Sequence, residues 1–191
     1  GIYHTDFPQY VRILTEDSFL ESVAWRYMHW FYGQLDTVFV NSEEYRQSWI
    51  RRGFDPAKLK IFPRGLDTEL FSPKRRDPTF YEKFGGRNGA VRLLYVGRIS
   101  REKDLDIMAD AYRRLRREGL PVQLYVVGHG PYSESLARSL PEAVFTGYLR
   151  GEELAAAYAS ADIFVFPSTT DTFGNVILEA QACGLPAIVS D

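Results

Sequence analysis

VRLLYVGRISREKDLDIMADAYRRLRREGLPVQLYVVGHGP, residues 91–131, sets two short apolar runs rich in β-branched residues on either side of a longer amphipathic one. Each apolar run ends in a glycine. The pattern predicts a strand over 91–97, a helix over 104–118 and a second strand over 122–128, the repeating unit of a parallel sheet. The helix is signalled by charge at both ends. Asp104, Asp106 and Asp110 come early, and Arg113, Arg114, Arg116 and Arg117 come late, as the helix dipole favours. Toward the carboxyl end the alternation continues, predicting strands at 144–147 (VFTG), 162–168 (DIFVFPS) and 187–190 (AIVS), with helices at 132–139, 151–160 and 175–183. Ligands of such sheets sit at the carboxyl ends of the strands, so the glycine- and proline-bearing loops there are the place to look for a site.

Toward the amino end the reading changes. A long helix is expected over 9–33, then a strand at 37–40 (TVFV), a helix over 42–53 closed by Gly53, and a strand at 60–62 (KIF). That is too little to close its own sheet. PRGLDTELFSP (63–73) carries two prolines and a glycine and reads as an inter-domain connection. We therefore expect residues 1–72 to be the carboxyl-terminal part of one Rossmann-like domain plus the connection. Residues 73–191 are expected to form a second such domain, cut short after AIVS, in a fragment of a larger two-domain protein. There are no internal repeats or low-complexity segments.

The cluster WRYMHWFY (25–32) has two readings, a membrane-interface belt or core packing. Residues 1–36 carry two Arg against five acids, the wrong sign for anionic lipid, so core packing is the expectation. Composition narrows the classes further. The 191 residues are 45% hydrophobic and 15% aromatic, ample for a packed core. Lys and Arg total 23 against 25 Asp and Glu, which argues against nucleic acid as a partner. The single cysteine, Cys183, rules out an internal disulfide and fits a reducing compartment. With no apolar run of about 18 residues and no signal segment, the reading is cytoplasmic.

Three loops could take a phosphate. VGRISREK (96–103) leaves a strand through Gly97 and places Arg98 and Lys103 just before a helix, a combination that suits a diphosphate. The alternative is a pair of solvated surface charges. VVGHGP (126–131) offers Gly128 and Gly130 but lacks the third glycine of the dinucleotide fingerprint, and could equally be a tight strand-to-helix turn. The third is TTDTFGNVILEAQACGLP (169–186), where Gly174 opens a helix near Asn175. Here Asp171 lies in the loop before the helix and Glu179 about one turn inside it. A ligand with a diphosphate in the middle and a sugar at each end would satisfy both carboxylates, the two cations and the helix end. That describes a nucleotide-sugar. Singly, Asp171 could be a helix-end acid and Glu179 a solvated one. Asp104-Leu105-Asp106 could hold a divalent metal bridging phosphates, yet acids are expected in a first helical turn for dipole reasons alone. No Cys/His cluster points to zinc, and no Gly-x-Ser-x-Gly to a serine nucleophile.

VGRISREKDLDIMADAY, VVGHGP, FTGYL, AYASADIFVFPSTTDTFGNVILEAQACGLP and PRGLDTELFSP together resemble a retaining glycosyltransferase of the GT-B architecture, family 4 (glycosyl transferase group 1). The resemblance implies an α/β fold, a Rossmann-like parallel-sheet domain with helices on both faces plus part of a second. It also implies transfer of a sugar, with retention, from a nucleoside-diphosphate sugar to a hydroxyl on a lipid or glycan, with neither cofactor nor catalytic metal. By match to the family's motifs, Arg98 and Lys103 neutralise the departing diphosphate and Glu179 holds the ribose. Asp171 stands where the family usually has Glu and binds donor-sugar hydroxyls. Gly97, Gly128 and Gly130 line the donor site, Phe173, Gly174 and Asn175 face sugar and phosphates through their backbone, and Tyr148 and Leu149 approach the base. His4 in YHTDF matches the histidine sent in from the other domain.

Two departures stand out. Asp104 follows Lys103 where the family usually has glycine, and nothing matches the family's glycine-rich loop near the start of the amino-terminal domain, so a fragment inactive on its own is expected. The TDTFGNV wording leans toward GDP-mannose or UDP-sugar donors, with a possible peripheral contact of the full-length protein at the inner membrane face. Two alternatives remain, a GT-B nucleotide-sugar epimerase and a non-catalytic nucleotide-sugar-binding module. The first needs in-domain acid/base groups, and residues 91–191 offer only His129. The second has no use for Asp171 or His4.

Overall fold

A computed structural model describes residues 1–3, 6–62, 65–87, 89–169 and 174–190. The chain forms two compact units, Gly1–Gly65 and a second that begins at Leu66. The division falls inside the predicted connection. Residues 66–72 side with the second unit, where Phe71 packs edge-on against Tyr158.

In the first unit the expected single helix is two. Helix α1 (Phe7–Thr15) is capped by the Asp6 carboxylate and stops at Glu16, whose backbone takes the left-handed conformation at φ 55°. Asp17 then caps α2 (Ser18–Gly33), accepting the Phe19 amide at 2.7 Å. The Asp17-Ser18 start signal overrides the continuous apolar periodicity. Strands β1 (Val38–Val40) and β2 (Leu59–Ile61) pair in parallel across α3 (Glu43–Arg51), and Ile2 adds one bridge to Phe39. The core is aromatic. Fully buried Trp49 is ringed by Tyr3, Trp25, His29, Tyr32 and Phe54 at centroid distances of 4.8–6.2 Å. The expectation of core packing for 25–32 is met only on one side of the helix. Met28 is buried, while Tyr27, Trp30 and Phe31 are 52, 64 and 45% exposed.

The second unit holds β3 (Val91–Val96), α4 (Leu105–Arg117), β4 (Val122–Val127), α5 (Ser133–Ser139), β5 (Val144–Gly147), α6 (Gly151–Ser160), β6 (Ile163–Phe166), α7 (Asn175–Ala182) and β7 (Ala187–Val189). All the predicted strands and helices are present, most shorter than predicted by one to three residues. The five strands are parallel in the order β5-β4-β3-β6-β7. Helices α4 and α5 are in mutual contact, as are α6 and α7, the pairing that right-handed crossovers in this strand order lead to, one pair on each face. Strand β4 is buried along its whole length, as an interior strand of a two-sided parallel sheet requires. The segment before β3 is tied to the core by Tyr81, whose buried hydroxyl donates to the Ala157 carbonyl at 2.6 Å. No helix among the described residues is long and apolar enough to cross a membrane.

Candidate functional site

The strand order reverses between β3 and β6, the point where a parallel sheet opens a crevice outside its carboxyl ends. The loop after β3 carries Gly97, Arg98 and Lys103; the loop after β6 leads to Gly174, Asn175 and Glu179. Neighbouring parallel strands thus deliver both sets to the same edge of the sheet. His4, Asp171 and Phe173 lie outside the described residues.

Arg98 is exposed, and its carbonyl accepts the Tyr95 hydroxyl at 2.9 Å, which fixes the turn leaving β3. Lys103 closes a short 3₁₀ turn (Arg101–Lys103) and is 8% exposed, an unusual depth for a lysine. Sequence reasoning missed Glu102 between them. Burial pulls its carboxyl up, but the Ser100 hydroxyl at 2.7 Å, its own amide and the nearby Arg98 and Lys103 together hold it below the usual range. The loop therefore carries an internal counter-charge.

The two glycines of VVGHGP serve a contact between loops. A Cβ on Gly128 would lie 2.0 Å from the Gly97 carbonyl oxygen, and one on Gly130 would lie 2.2 Å from that of Ile99. Gly128 itself donates to the Gly147 carbonyl at 2.8 Å, so the loops after β3, β4 and β5 stack backbone on backbone. This gives both glycines a packing reason independent of any ligand. On the same edge Tyr148 is 67% exposed with its ring 6.2 Å from that of His129, and Leu149 is buried beside it.

Helix α7 starts at Asn175 behind Gly174, which takes φ 63° and supplies no side-chain cap. Its first amides point toward the carboxyl edge of the sheet, a partial positive charge that suits an anion. Glu179, one turn in, is half-buried, and its carboxyl is raised above the usual range by burial, opposed by a hydrogen bond from the Tyr158 hydroxyl at 2.9 Å.

The Asp-x-Asp is engaged elsewhere. Asp104 takes the left-handed conformation at φ 53°, where the family usually has glycine, and accepts the Thr169 hydroxyl at 3.2 Å. Asp106 accepts the Tyr132 hydroxyl at 2.6 Å. Asp104 thus ties the loop after β3 to the loop after β6, and Asp106 ties the first turn of α4 to the loop after β4. No cluster of metal-binding side chains occurs among the described residues.

Comparison with known proteins agrees with this architecture. Residues 90–191 match the family described as Glycosyl transferases group 1, and residues 1–70 match Glycosyltransferase Family 4. The chain is 34% identical over 193 residues to the sulfoquinovosyl transferase SQD2 of Arabidopsis thaliana, covering 98% of this chain and 37% of that protein. It is 32% identical over 191 residues to a GDP-mannose-dependent alpha-mannosyltransferase of Mycobacterium tuberculosis, covering 100% and 48%. The chain thus spans half or less of the length of these relatives. Among solved structures, Anabaena Alr3699/HepE in complex with UDP-glucose superposes with a TM-score of 0.77 at 21% identity, over 98% of this chain and 52% of that one. With a group 1 match over more than half its length and Rossmann-like units of the GT-B type, the chain belongs to the group 1 glycosyl transferases.

Proposed function

We propose that the second unit binds the donor of a retaining glycosyltransferase, which moves a sugar from a nucleoside-diphosphate sugar to a hydroxyl of a lipid or glycan without a catalytic metal. The observation that carries this reading is the meeting, at the strand-order reversal, of the Arg98/Lys103 loop with the uncapped start of α7 and the half-buried Glu179. In this reading Arg98, Lys103 and the α7 amides neutralise the diphosphate as it leaves. Glu179 holds the ribose, Asp171 the donor-sugar hydroxyls, and His4 is assigned to the donor sugar by its match to the family's motif. Gly97, Gly128 and Gly130 let the backbone come close, Phe173, Gly174 and Asn175 border sugar and phosphates, and Tyr148 and Leu149 border the base.

In this reading no side chain acts as a covalent nucleophile. Departure of the diphosphate is driven by the preorganised positive field, and the acceptor hydroxyl attacks from the face the leaving group vacates, with its proton passing to the departing phosphate oxygen. Removal of one such cation costs about 2–4 kcal/mol of transition-state stabilisation. GDP-mannose is a donor in keeping with the name of the mycobacterial relative, with a UDP-sugar as the alternative.

The two acids provide the test. In the full-length protein, Asp171→Ala should cut turnover of the nucleotide-sugar while leaving affinity for the bare nucleoside diphosphate nearly intact. Glu179→Ala should weaken both ligands, since the ribose is common to them. A hydrogen bond to a charged group contributes about 1.5–3 kcal/mol, so changes of about tenfold or more are expected in titration. Equal losses for both ligands in Asp171→Ala, with a lowered melting temperature, would instead identify a helix-capping acid.

A further inference from the structure

Glu179 is held by a residue to which the sequence motifs assign no role. Tyr158 lies in α6 and is fully buried, and its hydroxyl donates to Oε2 of Glu179 at 2.9 Å across the α6–α7 contact. Its ring is wedged between Phe71 and Phe164 at 6.0 and 5.6 Å, so the hydroxyl cannot swing away. We propose that Tyr158 is a positioning residue of the donor site, holding one oxygen of the Glu179 carboxylate so that the other is presented to the ribose hydroxyls. The inference rests on the reading of Glu179 as the ribose ligand.

The chemistry follows from what surrounds the pair. A carboxylate has about four lone-pair positions; a single donor on one oxygen fixes the rotation of the group and leaves the other oxygen free to accept. Burial first, and Glu179 next, push the Tyr158 hydroxyl far above its ordinary ionisation, so it remains a donor throughout the working pH range. Among the described residues, another titratable group close to the carboxylate is Cys183 at the end of α7, whose thiol is pushed up to about 11 by burial and is neutral. Tyr81, whose hydroxyl donates to the adjacent Ala157 carbonyl, is likewise neutral, raised by burial. Strands β6 and β7, against which α7 packs, carry no titratable side chain. The terminal phosphate of the diphosphate titrates in the same range, so the part of the acid limb that Glu179→Gln abolishes is the part that belongs to Glu179, whose carboxyl the Tyr158 bond keeps lower than burial alone would set it.

Tyr158→Phe removes one oxygen from a wedged ring. Affinity for a nucleoside diphosphate is measured by calorimetric titration from pH 5.5 to 8.5, with melting temperatures alongside and Glu179→Gln as the companion variant. Tyr158→Phe should weaken binding about five- to tenfold near pH 7.5 and move the acid limb to higher pH. A purely structural role would lower the melting temperature without moving the limb. Replacing Tyr158 by 3-fluorotyrosine, a stronger donor on the same ring, should move the limb the other way, and reads out the same bond should the Phe variant fold poorly. Unchanged affinity and limb in both Tyr158 variants, with binding impaired in Glu179→Gln, overturns the positioning role and leaves the ribose reading standing. Wild-type binding and pH profile in Glu179→Gln overturns the ribose reading, and the role of Tyr158 with it.

Discussion

Gly130→Ala tests whether the loops after β3 and β4 are held together by direct backbone contact. The added Cβ would sit 2.2 Å from the Ile99 carbonyl oxygen, 2.8 Å from its carbon and 3.0 Å from its nitrogen. Contact at van der Waals separation requires the loops to part by roughly 1 Å. The backbone of Gly130 itself is not in the left-handed region, so the penalty is one of space and not of conformation. Parting the loops strains two hydrogen bonds that cross the gap, Ile99 N–H to the His129 carbonyl at 3.3 Å and Tyr132 N–H to the Ile99 carbonyl at 3.0 Å. Overpacking of this kind costs about 1–3 kcal/mol, and weakening the two bonds adds about 1 kcal/mol. At about 2–4 °C per kcal/mol for a chain of this size, the melting temperature should fall by about 5–15 °C. Gly33→Ala is the control, because its Cβ meets nothing within 4 Å at the end of α2 and should be neutral or slightly stabilising. Thermal unfolding followed by circular dichroism reads both. A Gly130→Ala melting temperature within about 2 °C of wild type would mean the loops accommodate a methyl group freely, and the packing account of VVGHGP would be wrong.

Glu179→Gln should raise the melting temperature of the unliganded protein at pH 8 while weakening nucleotide binding. Burial lifts the Glu179 carboxyl above its unfolded value near 4.5, so the folded chain holds that proton more tightly; the contribution is fully present below pH 4.5 and is lost as pH rises through the raised value. The gain from the substitution should therefore vanish in acid, and a lowered melting temperature at pH 8 would contradict the burial account. Donor binding should survive chelation of divalent ions, because Arg98, Lys103 and the start of α7 supply the positive field and both acids of the Asp-x-Asp are engaged by hydroxyls. Strict dependence on magnesium or manganese in the same titration would return Asp104 and Asp106 to the phosphate site.

The local alternation of residues 91–190 was enough to read the second unit, because strand and helix periods differ and each element there presents its own boundary. Asp104 and the late arginines bracket α4, and Gly174 marks the start of α7. The Asp17-Ser18 break in the first unit was also in the sequence, hidden inside an apolar run long enough to mask it. What the sequence could not decide is which side of a doubly apolar helix is buried. In α2 Met28 joins the core around Trp49 and Ala24 is buried, while Tyr27, Trp30 and Phe31, equally apolar, are exposed. Periodicity counts apolar residues on a helix and carries no information on what lies opposite.

The site divides in the same way. Arg98, Lys103, Gly174 and Glu179 could be named from motif and spacing, since a phosphate needs cations and open amides and these leave a local signature. Their assembly at one sheet edge depends on the strand order, in which β3 and β6, some 70 residues apart, are neighbours. Tyr158, Thr169 and Glu102 lie inside the quoted motifs, but nothing local marks the contacts they make. A tyrosine in an alanine-rich helix looks like core until the hydroxyl is found 2.9 Å from a carboxylate 21 residues away. The closeness of Gly130 to Ile99 is likewise a fact about two loops and about neither alone. Sequence determined which elements form and which chemistry they carry, because those follow from interactions a few residues long. Only the tertiary structure decided which groups meet, because burial and hydrogen bonding act between residues that the chain itself holds far apart.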